Sequence, residues 1–141
     1  MVEAQLLGGF NLHLDGREAK ALQTERLTLF LAYLFLNSET PPSRKQLAFL
    51  FWPDSSEEQA RTNLRNLLHL LRRAFPEIDL FLEVDSQSIR WKSDALIKLD
   101  VAQFKDALAQ AKATKEEQAR IRHLQEAVNV YRGELLPGFY E

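Results

Sequence analysis

The sequence has no cysteine, no long apolar run and no excess of positive charge. Without cysteine the chain can form no disulfide and perform no thiolate chemistry, which is compatible with a reducing interior. The N-terminus lacks the charged and then apolar pattern of a signal peptide, and no run approaches the roughly 18 apolar residues of a membrane span. Neither secretion nor membrane insertion is indicated, and we expect a cytoplasmic protein.

The balance of charge limits how the protein could bind nucleic acid. Its 18 lysines and arginines face 20 acidic residues, for a formal net charge of -2. There is no overall attraction to a polyanion, so any such binding must come from a local patch. The 141 residues suit one ordinary domain or a small domain with an appendage, and 45% hydrophobic residues suffice for a sizeable core.

The sequence is also poor in catalytic motifs. His13, His69 and His123 are far apart, and none has a partner at metal-ligand spacing. Gly8-Gly9 lacks the remaining elements of a phosphate loop and is better explained as a bend or bulge in a strand. Trp52 is most simply a core aromatic, like Trp91. We therefore expect no enzyme activity, no cofactor and no metal site.

One segment, from about residue 55 to 75, has the pattern of a helix with two very different faces. Between Gln59 and Arg73 it holds four arginines and no acid. A wide apolar stripe at helical spacing is formed by Ala60, Leu64, Leu67, Leu68, Leu71 and Phe75. The opposite side and its edges carry Gln59, Thr62, Asn63, Asn66, His69, Arg73, Arg61, Arg65 and Arg72.

Amide and guanidinium groups are the side chains that contact base edges and phosphates in DNA. The polar side of this helix therefore fits a DNA recognition helix, although a merely solvated face has a similar composition. In the first interpretation, the residues near bases are Gln59, Thr62, Asn63 and Asn66. The residues near phosphates are Arg44, Lys45, Arg61, Arg65, His69, Arg73, Arg90 and Lys92.

A shorter helix precedes this one at the spacing of a helix-turn-helix. Ser43 and Gln46 have the pattern of a capping box, and Pro53 ends the helix. A turn of about three residues then leads to Ser55 or Ser56, either of which can cap the next helix. Helix, short turn and polar-faced helix is the helix-turn-helix arrangement.

The first turn of this shorter helix carries two cations, Arg44 and Lys45. Cations at a helix N-terminus oppose the helix dipole, and a bound phosphate would remove that conflict. The alternative is that both side chains simply extend into water.

The remaining parts of a winged helix occur in the expected order. Thr24 can cap an apolar helix that ends near Asn37, and its shared face is formed by Leu27, Phe30, Leu31, Leu34 and Phe35. After Pro76, residues 80–84 and 88–92 alternate as two strands of a hairpin. Its inward positions are Leu82, Val84, Ile89 and Trp91, and its outward ones include Arg90 and Lys92. Near the N-terminus, Leu12 and Leu14 alternate before the hairpin turn Asp15-Gly16 and predict an antiparallel sheet.

Several motifs along the chain are together typical of one family. They are Leu6-Leu7-Gly8-Gly9-Phe10, Arg44-Lys45-Gln46-Leu47-Ala48, Phe51-Trp52-Pro53-Asp54, Ala60-Arg61-Thr62-Asn63-Leu64-Arg65, Leu71-Arg72-Arg73, Leu99-Asp100-Val101-Ala102-Gln103-Phe104 and Tyr131-Arg132-Gly133-Glu134-Leu135-Leu136-Pro137-Gly138. In these motifs the chain resembles the Streptomyces-type antibiotic regulatory protein family. The resemblance extends over nearly the whole chain.

The resemblance implies an α+β, mainly α, protein in two parts. Residues 1–95 would form an OmpR-like winged helix DNA-binding domain with an N-terminal antiparallel sheet and a C-terminal wing hairpin. Residues 96–141 would form a TPR-like helical hairpin, the start of a bacterial transcriptional activation domain. One departure is Glu25, where the family is commonly basic, so Arg26 becomes the candidate phosphate contact of that turn.

The C-terminal third has its own helical periodicity. Asp100 is a natural cap for a helix with Val101, Phe104, Leu108 and Ala111 in register. A second helix has a stripe formed by Ile121, Leu124, Val128 and Tyr131. One such pair cannot bury all its apolar surface by itself. Two compatible expectations follow, a boundary inside a longer protein or a hairpin that folds back on the winged helix.

Two functions from different classes therefore remain. The first is a sequence-specific DNA-binding module of a bacterial transcription regulator, with residues 55–75 in the major groove and residues 80–92 at the backbone or minor groove. For it we expect a monomer in solution, two copies on tandem direct repeats, and RNA polymerase as a further partner. The second is a protein-interaction adaptor module that binds its partner through a TPR-like helical surface and does not bind DNA. The four arginines without acids favour the first.

Overall fold

The computed structural model describes residues 1–18 and 25–137 of the chain. These residues form two compact units. The first unit contains the N-terminal strands and the chain from Leu96 onward, and the second extends from Glu25 to Ala95. This grouping differs from the predicted division at residue 95, because the N-terminal strands pack with the C-terminal helices. Whether residues 1–95 act as one DNA-binding domain stays a prediction.

The first unit is built on a four-stranded sheet. Its strands are β1 (Val2–Gln5), β2 (Asn11–Leu14), β3 (Arg17–Glu18) and, much later in the chain, β6 (Ile97–Leu99). The order is β3-β2-β1-β6, with β1 and β2 antiparallel and β1 and β6 parallel. The prediction of an antiparallel sheet was therefore incomplete, since the sheet is mixed. Parallel strands need a long connection, and here the whole second unit provides it.

Helix α4 (Asp100–Ala113) begins immediately after β6, and its first residue is hydrogen-bonded to the backbone of Leu6 and Leu7. The buried carboxylate of Asp100 accepts hydrogen bonds from the backbone amides of Leu6 and Leu7 at 2.9 Å, and from that of Val101 at 2.8 Å. The expectation that Asp100 caps this helix was wrong. Leu99 occupies the cap position without a side-chain hydrogen bond, and two of the three amides bound by the Asp100 carboxylate are those of Leu6 and Leu7, directly after β1.

Helix α5 (Glu117–Val130) pairs with α4 as a hairpin, as the periodicity predicted. Small residues are buried along the two helices, namely Ala107, Ala111, Ala119 and Ala127. Alanines allow helix axes to approach closely. The predicted stripe of α5 instead remains exposed, with 47% of Ile121, 42% of Leu124 and 71% of Val128 accessible.

The segment after α5 returns to the N-terminal strands. The amide of Gly8 donates to the carbonyl of Glu134 at 2.8 Å, and the amide of Leu136 donates to the carbonyl of Leu6 at 2.8 Å. Gly8 has a φ of +82°, and a Cβ there would lie 2.9 Å from the carbonyl oxygen of Arg132. Glycine is therefore required at this crossing.

The second unit has helix α1 (Glu25–Leu36) at its centre. The five residues predicted to share a face are at most 3% exposed, namely Leu27, Phe30, Leu31, Leu34 and Phe35. Trp91 stacks on Phe35 with ring centroids 4.4 Å apart. The predicted cap of this helix, Thr24, lies outside the described residues.

The two helices of the helix-turn-helix follow, and their local signals were interpreted correctly. Helix α2 (Arg44–Phe51) has the predicted capping box, in which the Ser43 hydroxyl accepts from the Gln46 amide at 3.0 Å and the Gln46 side chain accepts from the Ser43 amide at 2.9 Å. Helix α3 (Glu57–Ala74) is capped by Ser56. Its apolar stripe is buried as predicted, from Ala60 to Phe75.

A short 3-10 helix (Pro76–Leu80) leads from α3 into a hairpin of β4 (Leu82–Val84) and β5 (Ile89–Trp91). The strands are antiparallel with Leu82 opposite Trp91. They are shorter than the predicted 80–84 and 88–92, because the 3-10 turn occupies the beginning of the first. Val84 is only half-buried, and Lys92 is half-buried rather than exposed. The remaining inward positions are buried as predicted.

Candidate nucleic-acid interface

A groove in the second unit lies between α2, the first half of α3 and the turn of the β4–β5 hairpin. It encloses about 1070 Å³ and is open to solvent. Its apolar lining residues are Ala48, Phe49, Trp52, Pro53, Ala60, Leu64 and Val84, of which Ala48, Ala60 and Leu64 are buried. Its cationic residues are Arg44, Lys45, Arg61 and Arg65, and its acidic residues are Glu57 and Asp85. Cations thus outnumber acids in a protein that is acidic overall.

The hairpin turn is held against the beginning of α2. The amide of Arg44 donates to the carbonyl of Gln87 at 2.8 Å, and the Arg44 guanidinium donates to the carbonyl of Asp85 at 3.2 Å. Ser43 and Ser88 form an isolated antiparallel bridge beside these contacts. The turn and the first residues of α2 therefore form one wall of the groove.

Asp85 gives the turn its shape. Its carboxylate accepts hydrogen bonds from the amides of Gln87 at 2.7 Å and Ser88 at 2.8 Å. These backbone hydrogen bonds lower the pKa of Asp85, with a smaller contribution from the Arg90 charge. The Asp85 carboxylate therefore already binds two backbone amides of its own turn.

Several cations near the groove have no acidic partner. Within residues 1–18 and 25–137, no ion pair involves Lys45, Arg61 or Arg65. By contrast, Arg72 lies 3.2 Å from Asp79. Cations without partners are available to anions from outside the protein. The sequence alone gave no way to separate these two groups of arginines.

The candidate base-reading residues differ in whether their side chains already make hydrogen bonds within the protein. The amide of Gln59 donates to the Asn63 carbonyl oxygen at 2.9 Å, and the Thr62 hydroxyl donates to the Glu58 carbonyl at 3.2 Å. Asn66 is exposed, and its side chain has no hydrogen bond within the described part of the chain. Of the four candidates Gln59, Thr62, Asn63 and Asn66, Asn66 is therefore the one whose side chain makes no hydrogen bond within the described residues.

The structure brings together only part of the predicted set of contacts. Arg44, Lys45, Arg61 and Arg65 line the groove. The other predicted residues of α3 are not among its lining residues, namely Gln59, Thr62, Asn63, Asn66, His69 and Arg73. They lie on the remaining polar surface of the same helix, so the groove and this surface are adjacent along α3.

Three further predicted phosphate contacts have other surroundings. The Arg26 guanidinium donates to the carbonyl of Phe51 and lies 5.3 Å from the centre of the Trp52 ring. Arg90 lies 3.4 Å from Glu83 across the hairpin. Lys92 follows β5 and is half-buried. Contact of these residues with DNA stays a prediction.

Sequence reasoning missed the aromatic part of the groove. Phe49 is 72% exposed, although it belongs to a helix with a buried face. Trp52, interpreted as a core aromatic, is only half-buried and lines the groove. No sequence signal separated Phe49 from the other apolar residues of α2, of which Leu47 and Ala48 are buried.

Neither a metal-binding cluster nor a membrane-spanning helix occurs among the described residues. They contain no cluster of three or more histidine, aspartate or glutamate side chains able to hold a metal ion. None of their helices combines the length and the apolar character needed to cross a membrane.

The fold as a whole has a solved counterpart. EmbR of Mycobacterium tuberculosis, in a structure of its complex with a low affinity phosphopeptide, is similar with a TM-score of 0.69 and 23% sequence identity. The match covers 96% of this chain and 37% of that one, so the chain spans little more than a third of its neighbour's length. EmbR is a regulator of the Streptomyces-type antibiotic regulatory protein family, and the likeness supports a fold of that kind. No family model and no curated protein matches the sequence.

Proposed function

We propose that the protein is the sequence-specific DNA-binding module of a bacterial transcription regulator. In this proposal, α3 enters the major groove and the hairpin contacts the backbone or minor groove. A fold like that of EmbR supports the regulator class. The observation that carries DNA binding is the set of cations without partners on α3 and α2, Lys45, Arg61 and Arg65, beside an open amide at Asn66.

Charge placement makes this binding physically reasonable despite the net charge of -2. Phosphates interact with the cations nearest to them, and at physiological salt charges further away than about 8 Å are largely screened. The acids of the whole chain therefore matter less than the local excess of cations at the groove. Phosphate contacts fix the position of the helix, and amides such as Asn66 supply sequence discrimination.

The direct test is fluorescence polarisation with a mixed-sequence duplex at several salt concentrations. With about five to eight phosphate contacts, the logarithm of affinity should fall against the logarithm of salt with a slope of about -4 to -7. The double variant Arg61→Gln, Arg65→Gln should make the slope shallower by about two units. The matched control is Arg72→Gln on the same helix, because its charge is already paired with Asp79. A flat salt response, or equal effects of both variants, would contradict the assignment.

The same proposal includes two copies on DNA. A single winged helix buries only about 600 to 1,000 Å², at the small end for specific recognition, so a second half-site is needed. We propose direct repeats with centres about 10 to 11 base pairs apart, which place both copies on one face of the duplex. Sedimentation should give a free monomer and two copies on a two-site duplex. A stable free dimer, or tight binding that survives deletion of one half-site, would refute this arrangement.

A second candidate function, the protein-interaction adaptor, is favoured by one observation. The exposed apolar stripe of α5, with Ile121, Leu124 and Val128, is a surface that a partner could cover. RNA polymerase is instead the partner proposed for the first candidate, the DNA-binding regulator, and a binding assay with purified polymerase tests that part of the proposal. An adaptor function predicts that Val128→Asp abolishes partner binding while no salt-dependent DNA binding is found.

A further inference from the structure

The groove combines cationic residues with exposed apolar side chains. Phosphate contacts account for Arg44, Lys45, Arg61 and Arg65, but they need no exposed aromatic side chain beside these cations. Phe49 is 72% exposed there, and the half-buried Trp52 and Val84 also line the groove. An exposed aromatic side chain in a concave site is typical of an anchor point for a protein partner.

The shape and the charge of the groove define the partner. Residues of α2, of the first half of α3 and of the hairpin turn line it. An amphipathic helix lays its apolar face into a hydrophobic groove of this kind, with anchors at helical spacing. Four cations against two acids at the rim require acidic flanks on that helix.

We propose that this groove binds an acidic amphipathic helix of a protein partner, and that this binding excludes DNA. The apolar face of the partner helix covers Phe49, Trp52 and Val84. Its carboxylates pair with Arg61 and Arg65, which have no acidic partner in the described part of the chain. Exclusion rests on the proposed function, because the same two arginines are assigned there to DNA phosphates.

The test uses a labelled synthetic peptide with leucine or phenylalanine at positions i, i+3, i+4 and i+7 and glutamate on both flanks. Its first control has the same composition with the apolar residues moved out of helical register. Its second control is polyglutamate of the same length. We expect the amphipathic peptide to bind about tenfold or more tightly than either control. Equal binding of all three would reduce the interaction to charge alone and overturn the proposal.

Variants of the protein distinguish the contribution of the apolar residues of the groove from that of its cations. Phe49→Ala should weaken peptide binding about tenfold or more and DNA binding less than about twofold. Arg65→Gln should weaken both. The matched control is Leu96→Ala, since Leu96 is 68% exposed and lies outside both the groove and the residues assigned to DNA. It should change neither affinity. Both substituted apolar residues are exposed, and thermal unfolding verifies that each variant is folded. Unchanged peptide binding by Phe49→Ala would overturn the proposal.

Competition distinguishes failure of this inference from failure of the DNA assignment. Unlabelled peptide should displace a labelled duplex from the protein. If the peptide binds but no DNA binding exists, the groove assignment stands and the proposed function falls. If DNA binds and the peptide does not, only this inference falls. If both bind without displacing each other, the exclusion step is wrong.

Discussion

Replacing the buried Asp100 by alanine should destabilise the first unit strongly. The carboxylate is the hydrogen-bond partner of two amides from the other end of the chain, those of Leu6 and Leu7, 94 and 93 residues away. The residue is only 5% exposed. A buried donor left without a partner costs about 1 to 3 kcal/mol. The two amides together therefore cost about 2 to 6 kcal/mol in Asp100→Ala, and water entering the truncated site offsets some of this.

The conservative variant Asp100→Asn should have a smaller effect. Its amide oxygen can still accept from one or two backbone amides, while the charge and one acceptor oxygen are lost. Hydrogen bonds to charged groups are worth about 1.5 to 3 kcal/mol, roughly twice the neutral value. We expect a loss of about 1 to 2 kcal/mol for this variant, between the alanine variant and the natural protein.

Urea unfolding followed by far-ultraviolet circular dichroism measures these losses. Tryptophan fluorescence provides an internal comparison, because Trp52 and Trp91 both belong to the second unit. The matched control is Asp106→Ala in the same helix, whose exposed carboxylate only accepts from Gln110 one turn away. This change should cost less than about 0.5 kcal/mol. If Asp100→Ala lowered the free energy of unfolding no more than the control does, the carboxylate would not be what holds the start of α4 to the residues after β1.

Three further predictions concern other sites. Asn66→Ala should cost about 1 to 3 kcal/mol on a preferred DNA site and little on random DNA; equal losses in binding titrations would show that it is not a base reader. Gly8→Ala should lower the free energy of unfolding in urea by more than Gly16→Ala. Both glycines have φ near +80°, but only at Gly8 would a Cβ meet backbone, the carbonyl oxygen of Arg132 at 2.9 Å. Equal losses would mean that the positive φ alone, and not this close contact, sets the cost. Backbone hydrogen bonds hold the pKa of Asp85 below its usual 3.8, so their stabilisation of the hairpin turn should be complete above about pH 4 and lost as the pH falls through the lower folded-state pKa. An NMR titration of the turn amides should therefore show no change between about pH 7 and 5.

The helices of the second unit could be predicted from the sequence because their signals are local. Ser43 and Gln46 form their capping box within one turn, and Ser56 caps α3 in the same way. The apolar stripe of α3 repeats at helical spacing, so it is buried whatever it packs against. Signals of this range do not depend on the rest of the chain.

The charge pattern of the groove could be predicted only in part. The sequence placed four arginines on α3 but did not distinguish Arg61 and Arg65 from Arg72, which is paired with Asp79 beyond the end of the helix. The exposed Phe49 was missed for the same reason. Whether a side chain is covered depends on segments that approach it in three dimensions.

The sheet of the first unit depends on the tertiary structure most of all. Strand β6 has three residues, too few for a periodic signal, and it pairs with the distant β1, with Val2 opposite Ile97. Asp100 has the composition signal of a helix cap, yet its carboxylate binds the amides of Leu6 and Leu7. Helix caps and apolar periodicity depend on residues a few positions apart and can therefore be predicted from the sequence. Hydrogen-bond partners more than 90 residues apart depend on which segments meet in three dimensions, and only the folded structure decides that.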